Sequence, residues 1–208
     1  IKLPPGSPSP YPGPLAYPAE ANLLFRNRGD GTFEEVGQAS GIRVPLHRAM
    51  SVTSFDYDRD GDPDIYVSND ATANLLLAND GKGHFQEIGL KAGVAFNQFG
   101  EAAGSMGTAV GDCNGDGWPD LLVTRFGNGS LYLNSRSGFF EDRIQASGIL
   151  DLSAKLTGWG GNFLDYDNDG DLDVFIANGD PHFMKGMPAL LLENNGDAGF
   201  TDAAGKGG

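Results

Sequence analysis

The chain has 208 residues, a formal net charge of −14 at pH 7, 32 glycines and 12 prolines. The acidic charge argues against nucleic-acid binding by phosphate neutralisation, and the absence of an apolar run of about 18 residues argues against membrane insertion. Abundant glycine and proline indicate short segments joined by tight turns and disfavour long helices.

The chain begins at Ile1 without an initiator methionine or a signal peptide, which we expect of a processed product or an excerpt of a longer protein. Residues 1–18 contain seven prolines and are predicted to form an extended loop or tether. Cys113 is the single cysteine, so the sequence predicts neither an intrachain disulfide nor a zinc site built on CxxC.

Residues 19–208 are predicted to consist of repeats. One unit is a short apolar run ending in asparagine, followed by a turn, an aromatic residue and an acidic tail, which indicates a β-hairpin. The asparagines are 52, 55 and 60 residues apart. The four copies are LLFRNRGDGTFEEV at 23–36, LLLANDGKGHFQEI at 75–88, LYLNSRSGFFED at 131–142 and LLLENNGDAGFTDA at 190–203.

An acidic loop recurs between these hairpins with nearly the same period. Each loop runs into an apolar segment typical of a strand, IYVS, LLVT or VFIA. Each repeat therefore supplies about four strands: one before the loop, one after it and two in the hairpin. The units are SFDYDRDGDPDIYVSND at 54–70, AVGDCNGDGWPDLLVTRF at 110–126 and FLDYDNDGDLDVFIANGD at 163–180.

Repeats of this length with four strands predict an all-β fold of propeller blades, with about three to four blades present and a solenoid as the alternative. The predicted units are about 19–53, 54–109, 110–162 and 163–208. Glycines in GSMGTAV at 104–110 and GWGGNF at 158–163 are interpreted as sites where neighbouring blades approach closely.

The acidic loops predict three calcium sites, because Ca²⁺ takes six to eight oxygens and carboxylates at alternate positions of a tight loop surround one centre. Each site is predicted to use four side chains and one backbone carbonyl. The side-chain ligands are Asp56, Asp58, Asp60 and Asp64; Asp112, Asn114, Asp116 and Asp120; and Asp165, Asp167, Asp169 and Asp173. The carbonyl ligands are those of Asp62, Trp118 and Asp171.

The loops do not match an EF-hand or a dockerin, because strands follow them and a bidentate glutamate is missing from the twelfth position. That position holds Val67, Val123 and Ile176. Magnesium is disfavoured because it retains several waters, whereas each loop offers five protein oxygens. Asn114 removes one negative charge, so the second site is expected to be the weakest. Crowded carboxylates repel one another, so the metal is expected to contribute to folding.

The segments FDYDRDGDPDIYVSND, GDCNGDGWPDLLVT and GWGGNFLDYDNDGDLDVFIANGD resemble the FG-GAP or VCBS repeats of integrin-α-like propellers over about residues 19–203. The order of segments is most similar to the ASPIC/UnbV, cartilage-acidic-protein-like group. That resemblance implies a seven-bladed calcium-binding propeller with an extracellular, cell-surface or periplasmic location. A closed propeller of this period needs roughly 350 residues, so the chain would supply fewer than four blades.

The resemblance implies a binding or scaffold module that docks a protein or a glycan. A calcium-dependent enzyme of the polysaccharide lyase or phospholipase type is the alternative, and a subunit of a larger assembly is a third possibility. His47, His84 and His182 share no spacing, and Cys113 has no partner that the sequence identifies, so no catalytic residue is predicted. No cofactor other than calcium is predicted.

Overall fold

The computed structural model describes residues 12–44, 47–127, 129–180 and 186–203. Within these ranges a 3₁₀ turn spans Pro14–Ala16, and the short helices are α1 (Gly89–Ala92) and α2 (Ile149–Ser153). Of the predicted tether, residues 1–11 lie outside the described part. The strands are β1 (Phe25–Asn27), β2 (Phe33–Glu35), β3 (Ala49–Phe55), β4 (Asp64–Asn69), β5 (Leu75–Asn79), β6 (Phe85–Glu87), β7 (Ser105–Gly111), β8 (Asp120–Arg125), β9 (Ser130–Asn134), β10 (Phe140–Asp142), β11 (Gly158–Leu164), β12 (Asp173–Asn178), β13 (Leu190–Asn194) and β14 (Phe200–Asp202).

The strands form three four-stranded antiparallel sheets, each with its strands in chain order, and one two-stranded sheet. The first blade contains β3 to β6, the second β7 to β10 and the third β11 to β14, while β1 and β2 form the N-terminal hairpin. This confirms the predicted all-β fold of propeller blades with four strands per repeat. The unit starts taken from the sequence, residues 54, 110 and 163, lie inside β3, β7 and β11.

The hydrophobic cores lie between successive sheets. The core between the first and second blades combines Tyr66 and Leu76 with Leu121, Val123 and Phe140. The core between the second and third blades is larger, with thirteen buried residues drawn from both sheets and from the segment that joins them. The second blade therefore buries both faces against neighbouring blades, which explains why its second strand, β8, is an almost continuous buried run.

The first strands of neighbouring blades approach closely at a glycine. A Cβ atom added at Gly107 in β7 would lie 2.8 Å from the Cα atom of Gly160 in β11 and 2.8 Å from the carbonyl oxygen of Trp159. Real Cβ contacts are essentially never this short, so Gly107 sets the distance between the second and third blades. This confirms the interpretation of the glycine-rich segments as points of close blade contact.

Candidate metal centres

The three acidic loops occupy the same place in each blade, between its first and second strands. Loop 1 (56–64) joins β3 to β4, loop 2 (112–120) joins β7 to β8, and loop 3 (165–173) joins β11 to β12. In each blade these two strands are hydrogen-bonded neighbours. The loops therefore lie at corresponding ends of the three sheets.

The first aspartate of each loop shapes the turn. In loop 1, Asp56 accepts hydrogen bonds from the backbone amides of Asp60 at 3.1 Å and Gly61 at 2.9 Å. Asp112 and Asp165 accept the equivalent pairs in loops 2 and 3. The turn also requires positive φ at the glycine, and Gly61 has φ +95°. The three loops therefore share one backbone path.

Three carboxylates converge in loop 1 and three in loop 3. In each set one oxygen per residue lies within 4.8 Å of the others; the sets are Asp56, Asp58 and Asp64, and Asp165, Asp167 and Asp173. The Oδ1 atom of Asp58 is shielded from solvent and has no hydrogen-bond partner within the described part of the chain. Like charges this close are unfavourable without a cation, so these residues fit a hard divalent ion.

The third aspartates of loops 1 and 3, Asp60 and Asp169, lie outside these triads. The Oδ1 atom of each accepts a hydrogen bond from the backbone amide two residues later, at 2.9 Å in both loops. The structure thus brings together three of the four predicted side chains in loops 1 and 3. The full ligand sets, including the carbonyls of Asp62, Trp118 and Asp171, stay predictions.

The last aspartate of each loop opens the second strand and is at most 1% exposed. One oxygen of Asp64 accepts the amide of Tyr57 at 2.9 Å, and the other accepts the amide of Asn79 at 2.8 Å. Asp120 and Asp173 repeat this pattern. Burial raises the pKa of both Asp64 and Asp120 to about 6. The last aspartate of each loop therefore links the loop to the third strand of its blade.

The asparagine that ends the third strand connects neighbouring blades. The Nδ2 atom of Asn134 in the second blade donates to the carbonyl of Tyr57 in loop 1 at 2.8 Å. The Nδ2 atom of Asn194 in the third blade donates in the same way to the carbonyl of Cys113 in loop 2, also at 2.8 Å. From the sequence these asparagines are recognised only as markers of the repeat, and the hydrogen bonds that they donate to the neighbouring blade are not predicted. Their regular spacing is the one sequence signal that points to a shared structural role.

Loop 2 differs from both other loops at four positions, 113, 114, 115 and 118, and two of these differences change the surroundings of the ligands. Asn114 replaces an aspartate, and its Oδ1 atom accepts the amide of Asp116 at 3.1 Å. Cys113 stands where loops 1 and 3 have tyrosine, is 3% exposed, and donates its thiol hydrogen to Asp120 at 3.3 Å. Burial and the nearby carboxylate raise the pKa of the thiol well above its usual range. Cys113 is thus a protonated packing residue and does not have the environment of a reactive thiolate.

The two described histidines, His47 and His84, do not assemble with the loops. His47 lies 3.2 Å from the carbonyl oxygen of Ala73, and the largely exposed His84 lies 3.5 Å from a carboxylate oxygen of Asp80. His182 lies outside the described residues. In the described part of the chain, no helix is long and apolar enough to cross a membrane.

A family model described as FG-GAP-like repeat matches residues 15–67, 56–123 and 112–176, each match spanning at least one acidic loop. The chain belongs to the FG-GAP-like repeat family. It is similar to cartilage acidic protein 1 of Homo sapiens, with 26% identity over 193 residues, and of Mus musculus, with 25% identity over 193 residues. These matches cover 87% of this chain but 27% and 28% of the relatives.

This FG-GAP chain therefore spans about a quarter of the length of the curated relatives it matches. Among solved structures it is similar to a lectin of Agrocybe aegerita, described for its recognition of non-reducing terminal N-acetylglucosamine. That similarity has a TM-score of 0.47 and 21% identity, and it covers 88% of this chain and 45% of the lectin chain.

Proposed function

We propose that this FG-GAP repeat protein is an extracellular calcium-binding module whose metal-stiffened blades form a surface for a protein or glycan partner. The observation that supports calcium most directly is the pair of carboxylate triads, each with its oxygens within 4.8 Å. The solvent-shielded, unpartnered Oδ1 atom of Asp58 supports it further, because an anionic oxygen in that state is stabilised by a cation.

In loop 1, Asp56, Asp58 and Asp64 would hold the ion, with Asp60 and the carbonyl of Asp62 completing the predicted set. Loop 3 offers the same residue types, and loop 2 offers Asp112, Asn114, Asp116, Asp120 and the carbonyl of Trp118. Bound calcium supplies positive charge that cancels carboxylate repulsion, and it ties the ends of two strands together. The chemistry is structural, since these carboxylates also accept backbone hydrogen bonds that fix the loops.

A binding or scaffold role agrees with this arrangement better than catalysis. The three loops repeat one backbone path and one set of internal hydrogen bonds, as expected of elements that stabilise blades. The described histidines and the thiol lie apart from the triads or are buried. The net charge of −14 favours a partner with a cationic or neutral contact surface over a polyanion.

Calcium titration of the whole chain, followed by native mass spectrometry and thermal unfolding, tests the metal assignment. We expect three bound ions, with stabilisation of about 2.7 kcal/mol per site at a hundredfold excess over the dissociation constant. Asp56→Asn should lower the stoichiometry by one ion, because it removes one charge from the loop 1 triad at a position that is aspartate in all three loops. Asp151→Asn, at an exposed position of α2, removes the same charge and should bind three ions.

Unfolding curves that superimpose in calcium and in chelator would refute the metal assignment. Glycan-array and protein-capture experiments on the calcium-loaded chain test the partner class. Binding that persists unchanged in chelator would separate partner recognition from the metal loops.

A further inference from the structure

Arg136 occupies a backbone position that the other repeats give to glycine. The second residue after the hairpin asparagine is Gly29, Gly81 or Gly196 in three repeats, with φ of +82°, +73° and +85°. Arg136 takes the same left-handed conformation with φ +63°. A side chain is disfavoured in that conformation, so a non-glycine residue there points to a role for its side chain.

The side chain of Arg136 reaches the metal loop of its own blade. Its Nε atom lies 3.1 Å from Oδ2 of Asp116, the third predicted ligand of loop 2. The carboxylate of Asp116 is largely shielded, with 16% of the side chain exposed, whereas 58% of the Arg136 side chain is exposed. The Oδ1 atom of Asp116 accepts the amide of Trp118 at 2.9 Å. Asp116 is thus paired on both oxygens.

A second guanidinium group also lies beside loop 2. Arg59 of loop 1 is stacked over the ring of Trp118, with its Cζ atom 5.5 Å from the ring centroid. In the hairpins of the first and third blades the position equivalent to Arg136 is glycine, Gly81 or Gly196, so it carries no cationic side chain. Loop 2 therefore combines one ligand charge fewer, at Asn114, with two nearby positive charges.

We propose that Arg136 is a built-in counter-ion that competes with calcium at loop 2, so that loops 1 and 3 fill first and loop 2 fills at higher calcium concentration. This inference rests on the proposed calcium-binding function. In metal-free protein the guanidinium neutralises Asp116 and holds the loop in its folded path. When calcium binds, the positive charge of Arg136 opposes that of the ion, which lowers the affinity of this loop alone.

The test is a terbium luminescence titration with tryptophan-selective excitation, followed by calcium competition, because Trp118 lies in loop 2 itself. Arg136→Gln should raise the affinity of this loop roughly three- to tenfold, as expected for removing one nearby, partly exposed charge. Arg136→Gly should act in the same direction, and it restores the residue that the other repeats use, so the backbone tolerates it. Arg143→Gln is the matched control: its partner Glu141 lies outside the metal loops.

Thermal unfolding in chelator supplies an independent readout. Arg136→Gln should lower the melting temperature of the metal-free protein while increasing the shift that calcium produces, a combination that simple loss of a surface ion pair does not give. The inference is overturned if both Arg136 variants change loop 2 affinity by less than twofold, or if Arg143→Gln changes it equally. Absence of metal binding in every loop would instead refute the proposed function, so the two failures are distinguishable.

Discussion

Replacing Asn194 with alanine is expected to be among the most damaging single polar substitutions in the chain. Asn194 is 3% exposed, and its Nδ2 atom donates to the carbonyls of Cys113 at 2.8 Å and Leu172 at 2.9 Å. Its Oδ1 atom accepts the amide of Gly196 at 3.1 Å. The alanine variant loses these three hydrogen bonds and leaves buried carbonyls unpaired. At about 1 kcal/mol per bond plus the desolvation penalty, the cost is about 3–4 kcal/mol.

Urea unfolding in chelator and in excess calcium measures this cost, and the chain provides its own control. Asn27 holds the same repeat position in the N-terminal hairpin, but it is exposed, and its side chain accepts the amide of Gly29 at 2.8 Å. Asn27→Ala should therefore cost less than about 1 kcal/mol. Equal losses for the two variants would show that the inter-blade hydrogen bond does not contribute as the structure indicates.

Two further substitutions test the blade interfaces by the same unfolding assay. Tyr66→Phe should cost about 1–2 kcal/mol, because the fully buried hydroxyl donates to the carbonyl of Val94 at 3.2 Å and its loss leaves that oxygen unpaired; an unchanged midpoint would contradict this. Gly107→Ala should cost about 2 kcal/mol or more, because the added methyl group would contact the third blade at 2.8 Å. Gly160→Ala, where an added Cβ meets no atom within 4 Å, should be nearly neutral and controls for the general effect of adding a methyl group.

Much of the fold was predictable because each repeat carries strong local signals in a fixed order. The apolar run IYVS follows loop 1 directly and becomes β4. The asparagine of each hairpin ends a strand in every case, at Asn27, Asn79, Asn134 and Asn194. Apolar runs and turn residues are signals that extend over only a few residues. Their order along the chain therefore predicts the order of the strands.

The starts of the first strands were harder to predict, because residues such as Ala49 and Ser105 carry weak strand signals. The different roles of the loop aspartates could not be predicted from the sequence either. Asp58 and Asp60 look equivalent in the sequence, but Asp58 joins the triad while Asp60 accepts a backbone amide of its own turn. Whether an aspartate oxygen points toward the centre of the triad depends on the local backbone conformation of the loop. The spacing of the aspartates in the sequence does not specify that conformation.

The residue between the first and second ligand of a loop connects the metal site to blade assembly. Tyr57 donates its amide to Asp64 in its own blade and accepts Asn134 of the next blade at its carbonyl. Cys113 does the same with Asp120 and Asn194. An ion that orders the loop therefore also fixes the carbonyl that the next blade binds. Loss of the ion from loop 1 or loop 2 should weaken the adjoining interface more than the other, because each of these two loops contacts the next blade through this carbonyl.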